Sequence, residues 1–179
     1  MILGPLTAPD VPAPDHREAL DLRPPRHRVS ARAVRYWTVR ASAGWAVLGI
    51  AQAVWLVLAS GGGAWHAIAL VVTFVLAAAH VTVMPRWRYA VHRWETAPGA
   101  VYTQSGWFDQ ERRIAPVARI QTVDTERGPL EQLFGLANVT VTTASAAGAL
   151  EIKGLDREVA DRLVDELTAA TQADAEDAT

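Results

Sequence analysis

The chain has 179 residues, with 17 basic and 19 acidic side chains, a formal charge of −2 and no cysteine. Once its one long uncharged stretch is set aside, that length leaves room for a single small soluble domain and not two. No disulfide, thiolate nucleophile or cysteine-ligated metal can form, and residues 86–179, with ten basic and fifteen acidic side chains, argue against nucleic acid as the main partner.

Residues 1–30 are rich in proline and charge, with Pro5, Pro9, Pro12, Pro14, Pro24 and Pro25. Such a segment buries too little apolar surface to offset its ordering entropy, so residues 1–35 are expected to be a disordered, Pro/Arg-rich cytoplasmic tail. The first fifteen residues lack a basic segment followed by an apolar run, and no cleavable signal peptide is expected.

Between Arg40 and Arg86 there is no Asp, Glu, Lys or Arg, and Ser60-Gly61-Gly62-Gly63 interrupts the run. Residues 36–85 are therefore read as a transmembrane helical hairpin with spans at about 41–59 and 64–84. Each span is near the ~20 residues that cross a ~30 Å hydrocarbon layer. Arg32, Arg35 and Arg40 lead in, Arg86, Arg88 and Arg93 lead out, and the connecting turn is uncharged. Positive flanks place both termini in the cytoplasm of a multi-pass protein of the cell membrane. Tyr36, Trp37, Trp65 and Trp87 fall near the interfaces, where amphipathic aromatics prefer to sit. Inside the spans, Gln52, His66, Thr73 and His80 are the notable polar groups. The two histidines lie about 21 Å apart along one helix, too far to share a metal.

After Arg86 the apolar period shortens. Trp87–Glu95 reads as a strand, and Ala97-Pro98-Gly99 as a turn. Further strands follow at Ala100–Gln104, Trp107–Ile114, Arg119–Glu126, Leu136–Thr143 and Ala149–Lys153. Gly128-Pro129 starts a helical turn that Gly135 can end in the left-handed conformation. A last amphipathic helix is expected over Asp156–Thr171, with Leu155, Val159, Leu163, Leu167 and Ala170 on one stripe. Residues 172–179 read as a disordered acidic tail. Residues 86–171 thus form an α+β unit, a partly open β-barrel or sandwich capped by its C-terminal helix.

This order resembles the bacterial pleckstrin-homology (PH) domain of the membrane-anchored, YdbS-like kind. Ile114-Ala115-Pro116-Val117-Ala118-Arg119-Ile120-Gln121-Thr122-Val123 is similar to that family's Ile-Pro-Leu-x-Arg-Ile-Gln-x-Val segment. Arg127-Gly128-Pro129-Leu130-Glu131-Gln132-Leu133-Phe134-Gly135-Leu136-Ala137 is similar to its Gln-Gly-Pro-Leu-x-x-Leu-Leu-Gly-Leu-Ala segment. Pro116, Gln121, Gly128, Pro129, Leu130 and Gly135 are the residues of the shared motif. The likeness implies fold and not chemistry, because most matched positions are backbone devices or core.

No G-x-S-x-G, phosphate-binding loop or H-E-x-x-H pattern occurs, and neither an enzyme, a cofactor nor a metal is expected. By resemblance, the protein is expected to act as a membrane-anchored binding or scaffold module in envelope or stress physiology. Its partner would be a second copy or another PH-like membrane protein, met through open sheet edges. One alternative is an anionic lipid headgroup, cupped by Arg112, Arg113 and Arg119 with the membrane-proximal Arg86, Arg88 and Arg93. Another is a transporter or enzyme component, resting on polar membrane residues such as Gln52 and His80 and on scattered acids.

Overall fold

The computed structural model describes residues 24–58, 63–97, 99–106, 108–145 and 148–177, with side chains as far as 173. The tail through residue 23, the Ser60–Gly62 turn, Pro98, Trp107 and Ala147 lie outside those residues.

Two helices dominate the first half. Helix α1 spans Arg32–Leu58 and helix α2 spans Gly63–Val91. Both are long and apolar enough to cross a membrane. Trp45, Gly49, Gln52 and Leu56 of α1 are half-buried, as are His66, Leu70, Thr73, Ala77, His80 and Met84 of α2. Their alternating spacing of three and four is that of a left-handed helix pair. Trp45 donates its indole N–H to Nδ1 of His80 across the seam at 3.0 Å. The outward faces are apolar. Apart from Phe108, Ile114 and Leu133, every exposed large hydrophobic among the described residues lies on these two helices, a surface suited to lipid.

Helix α2 does not stop at the membrane end. It passes Pro85 and continues to Val91, where a strand was expected over Trp87–Glu95. The alternation of Trp87, Tyr89 and Val91 is overridden by a helical face of Pro85, Arg88 and Val91, which packs inward. Strand β2 begins only at Arg93.

The N-terminal segment also differs from expectation. His27–Arg28 forms strand β1, antiparallel to β2 (Arg93–Ala97), with His27 opposite Trp94. Val29, Ala33, Tyr36 and Trp37 are buried in the domain's core. Ser30 donates its N–H to the Gly154 carbonyl at 2.9 Å and its hydroxyl to Asp156 at 2.7 Å. The helical hairpin is therefore inserted between the first two strands of the domain. It does not simply precede the domain. Tyr36 and Trp37, expected at the membrane interface, are core side chains instead, and the prolines and charges around Val29 and Ala33 hide those two from a hydropathy reading.

The strands make two antiparallel sheets that do not close into a barrel. One has the order β1-β2-β3-β4, with β3 at Ala100–Gly106 and β4 at Gln110–Pro116. The other has the order β5-β6-β7, with β5 at Ile120–Glu126, β6 at Leu136–Thr143 and β7 at Leu150–Asp156. A single 3-10 turn, Val117–Arg119, joins the sheets. Short helix α3, Pro129–Leu133, has proline in its first turn, and Gly135 follows at φ +67°. Helix α4, Arg157–Asp177, closes the sandwich with Ala160, Leu163 and Leu167. It runs past Thr171 through a stretch expected to be disordered, because Ala173, Ala175 and Glu176 are good helix formers and no breaker intervenes.

Candidate functional site

Cationic groups from three elements meet where α2 enters the domain. Arg88 comes from the last turns of α2, Arg113 from β4 and Lys153 from β7. They line one cleft of about 470 Å³ with His92, Glu111 and Glu151. Each position follows from a local rule. Arg113 shares the parity of buried Ala115, so strand alternation turns it inward. Lys153 sits at a register break, where Lys153 and Gly154 of β7 stand against Asn138 of β6. Arg88 lies over the Trp37 ring, its guanidinium 4.7 Å from the ring centroid, a cation–π contact that fixes a long side chain.

Two acids temper this charge. Glu111 pairs with Arg113 at 2.6 Å and Glu151 with Lys153 at 2.5 Å. Arg113 also donates to the Ala149 carbonyl at 2.8 Å, joining the two sheets at the cleft's rim. Among the described residues no carboxylate pairs with Arg88. His92 is buried at the cleft's base. Its Nδ1 lies 2.9 Å from the Arg88 carbonyl, and Nε2 accepts from Arg88 Nε at 3.4 Å. These contacts select the neutral, Nδ1-protonated ring. Burial first, then the Arg88 and Lys153 charges, push the His92 pKa down to about 4, against the Arg88 carbonyl bond that raises it.

A second cavity of about 410 Å³ lies between the base of the hairpin and the domain. Arg88 and Lys153 line it too, together with Tyr36, Arg40, Glu131 and Asn138. Glu131 is its hub. Oε1 accepts from Tyr36 at 3.2 Å and from Asn138 at 2.7 Å, and Oε2 accepts from the Gly128 N–H at 2.7 Å. Burial works to raise the Glu131 pKa. The three hydrogen bonds and the Arg40 charge outweigh it and hold the carboxyl below its ordinary range.

Of the six arginines singled out in the sequence, the first cleft gathers Arg88 and Arg113 and not the others. Arg112 neighbours Arg113 on a strand, so it faces the opposite side of the sheet. Arg86 is exposed on α2 and donates to the Thr82 carbonyl at 2.6 Å. Arg93 reaches back to the Ala90 carbonyl at 3.5 Å. Arg119 is exposed in the 3-10 turn. The motif residues are structural: Pro116 precedes that turn, Gln121 sits at a register break in β5, Leu130 packs on the core, and Gly128 and Pro129 open α3. Sequence reasoning missed Lys153, which no local pattern marks. It also missed Glu131, which stands three residues after Gly128 and accepts that residue's N–H, the acidic half of a capping box without its side-chain partner.

The model of the family described as Bacterial PH domain matches residues 43–171 of this chain. The chain belongs to that family. This bacterial PH domain protein is also 32% identical over 147 residues to the UPF0699 transmembrane protein YdbS of Bacillus subtilis, covering 80% of this chain and 91% of that relative. No solved structure matches it. The PH-domain match begins inside α1, so strand β1 lies outside it. Membership and the two apolar helices make this a PH-like membrane protein.

Proposed function

We propose that this PH-like protein is a non-enzymatic binding module, crossing the cell membrane twice with both termini in the cytoplasm. Its cleft takes the phosphate of an anionic lipid headgroup. The observation that carries this reading is the convergence of Arg88, Arg113 and Lys153 at the end of a membrane-length helix. Arg88 leaves the apolar run only a few residues after Pro85, about one helical turn from the hydrocarbon edge. A phosphate at headgroup depth is thus within the cleft's reach, and arginine and lysine are suited to it. Glu111 and Glu151 already pair with two of the three cations, so the site favours a single phosphate over a densely charged headgroup.

The test uses the full-length protein purified in mild detergent. Native mass spectrometry should find anionic phospholipid retained over zwitterionic phospholipid, and a Lys153→Gln variant should lose that preference. Equal retention of both lipid classes by the unaltered protein would sink the reading.

A second reading is association with another copy or with a different PH-like membrane protein. It is supported by β5, which among the described residues pairs with β6 on one side only, is seven residues long and contains no proline. Such an edge is a template for strand addition. Crosslinking in the native membrane should capture a copy or a PH-like partner through β5. A lone protomer under all conditions would count against it.

A further inference from the structure

We infer that the tip of the β3–β4 hairpin, at Phe108, is a third membrane contact: it seats in the interfacial layer of the leaflet on the domain's side. Strand register gives the direction. Arg93, at the start of β2, lies opposite Gln104 of β3. Strand β3 runs two residues past that point to Gly106, back toward α2. Gly106 and Arg88 are walls of the same cleft, so the tip stands beside the last turns of the membrane-length helix. Trp87, on those turns, is 51% exposed, the placement of an interfacial aromatic.

Phe108 is 91% exposed, the most exposed of the large hydrophobics among the described residues. An aromatic side chain so presented is costly in water and favourable at a lipid interface. The turn that presents it is shaped by Gly106, at φ +117°, where a Cβ would overlap the Asp109 carbonyl oxygen. Asp109 beside it is exposed and acidic, which holds the tip at headgroup depth, short of the hydrocarbon. The two helices and this tip would then be three points of attachment, enough to fix the domain's tilt and keep the Arg88 cleft turned to the lipid surface.

The inference rests on the helices crossing the membrane and not on what the cleft binds. The chain contains no cysteine, so single cysteines can carry an environment-sensitive fluorophore without a background. The full-length protein is reconstituted in vesicles with the label at Gln110→Cys, an exposed neutral site beside the tip, at Val75→Cys in mid-α2, or at Ala118→Cys in the 3-10 turn past the opposite end of β4. Doxyl-labelled lipids and aqueous iodide serve as quenchers. The Gln110 label should be blue-shifted and quenched by shallow doxyl lipid, and adding Phe108→Ser should move both readings to the Ala118 level. If the Gln110 label matches the Ala118 label with Phe108 present, the tip contact is overturned, while lipid quenching at Val75 leaves the crossing intact. Loss of lipid quenching at Val75 as well would overturn the crossing and the tip together. Protection from iodide without lipid quenching at Gln110 would mean a protein neighbour, and would also overturn the inference.

Discussion

The Tyr36 hydroxyl donates to Oε1 of Glu131 at 3.2 Å, joining the first membrane helix to the Gly-Pro turn of the PH-like domain. The same carboxylate takes hydrogen bonds from Asn138 and from the Gly128 backbone. Glu131→Ala should therefore leave several part-buried donors unpaired and cost about 2–3 kcal/mol, whereas Tyr36→Phe should cost about 1 kcal/mol. Denaturant midpoints of the full-length protein in detergent measure both. Equal losses would place the value of the network in Tyr36 alone.

Gly154 is under two constraints at once. Its φ is +79°, and a Cβ there would lie 3.0 Å from the Cβ of Ala33 and near the Trp37 ring. Gly148 has the same φ with open space around it. Gly148→Ala should cost about 1 kcal/mol, the left-handed penalty alone. Gly154→Ala should cost clearly more, by about another 1–3 kcal/mol of overpacking against α1. Thermal midpoints of the two variants, compared side by side, separate strain from crowding.

The N-terminal strand is part of the domain. Val29 is buried in its core and His27 stacks near Trp94 at 5.2 Å between ring centroids. Val29→Ala removes two buried methyl groups and should destabilise by about 1.5–2.5 kcal/mol. A solvated tail would show no change. Hydrogen exchange should also find the Ser30 amide, bonded to the Gly154 carbonyl, protected to the same degree as β2.

His92 gives the pH dependence a sign. Its folded pKa is about 4, below the ordinary 6.5, because burial and the nearby Arg88 and Lys153 charges disfavour the imidazolium. Below about pH 6.5 the unfolded chain takes up a proton that the folded protein refuses. Stability should fall as the pH drops from about 6.5 to about 4, and this contribution should level off below that, for a total of up to ~3 kcal/mol. His92→Gln should flatten that part of the profile. Thermal midpoints of the full-length protein across this range check it, and an unchanged slope in the variant would remove His92 as the cause.

Some of this was legible in the linear sequence because it rests on local rules. The two membrane-length helices are written in forty-five consecutive uncharged residues, since a spanning helix must satisfy its backbone internally and expose only apolar side chains. Leu136–Thr143 is legible with its true bounds, because alternation marks a strand buried on one face. Gly135 was placed at the end of a helical turn, and its positive φ bears that out.

What only the tertiary structure decided is which distant segments share a surface. The extension of α2 to Val91 goes with the burial of Pro85 and Val91 and sets Arg88 over the Trp37 ring, a contact between residues fifty-one positions apart in the sequence. The docking of His27–Arg28 depends on the free edge of β2 and on the space that Gly154 leaves for Ala33. The meeting of Arg88, Arg113 and Lys153 depends on three elements and one register break. Periodicity specifies which face of an element is apolar. It carries no record of which face another element will cover, and the cleft lies where three such choices coincide.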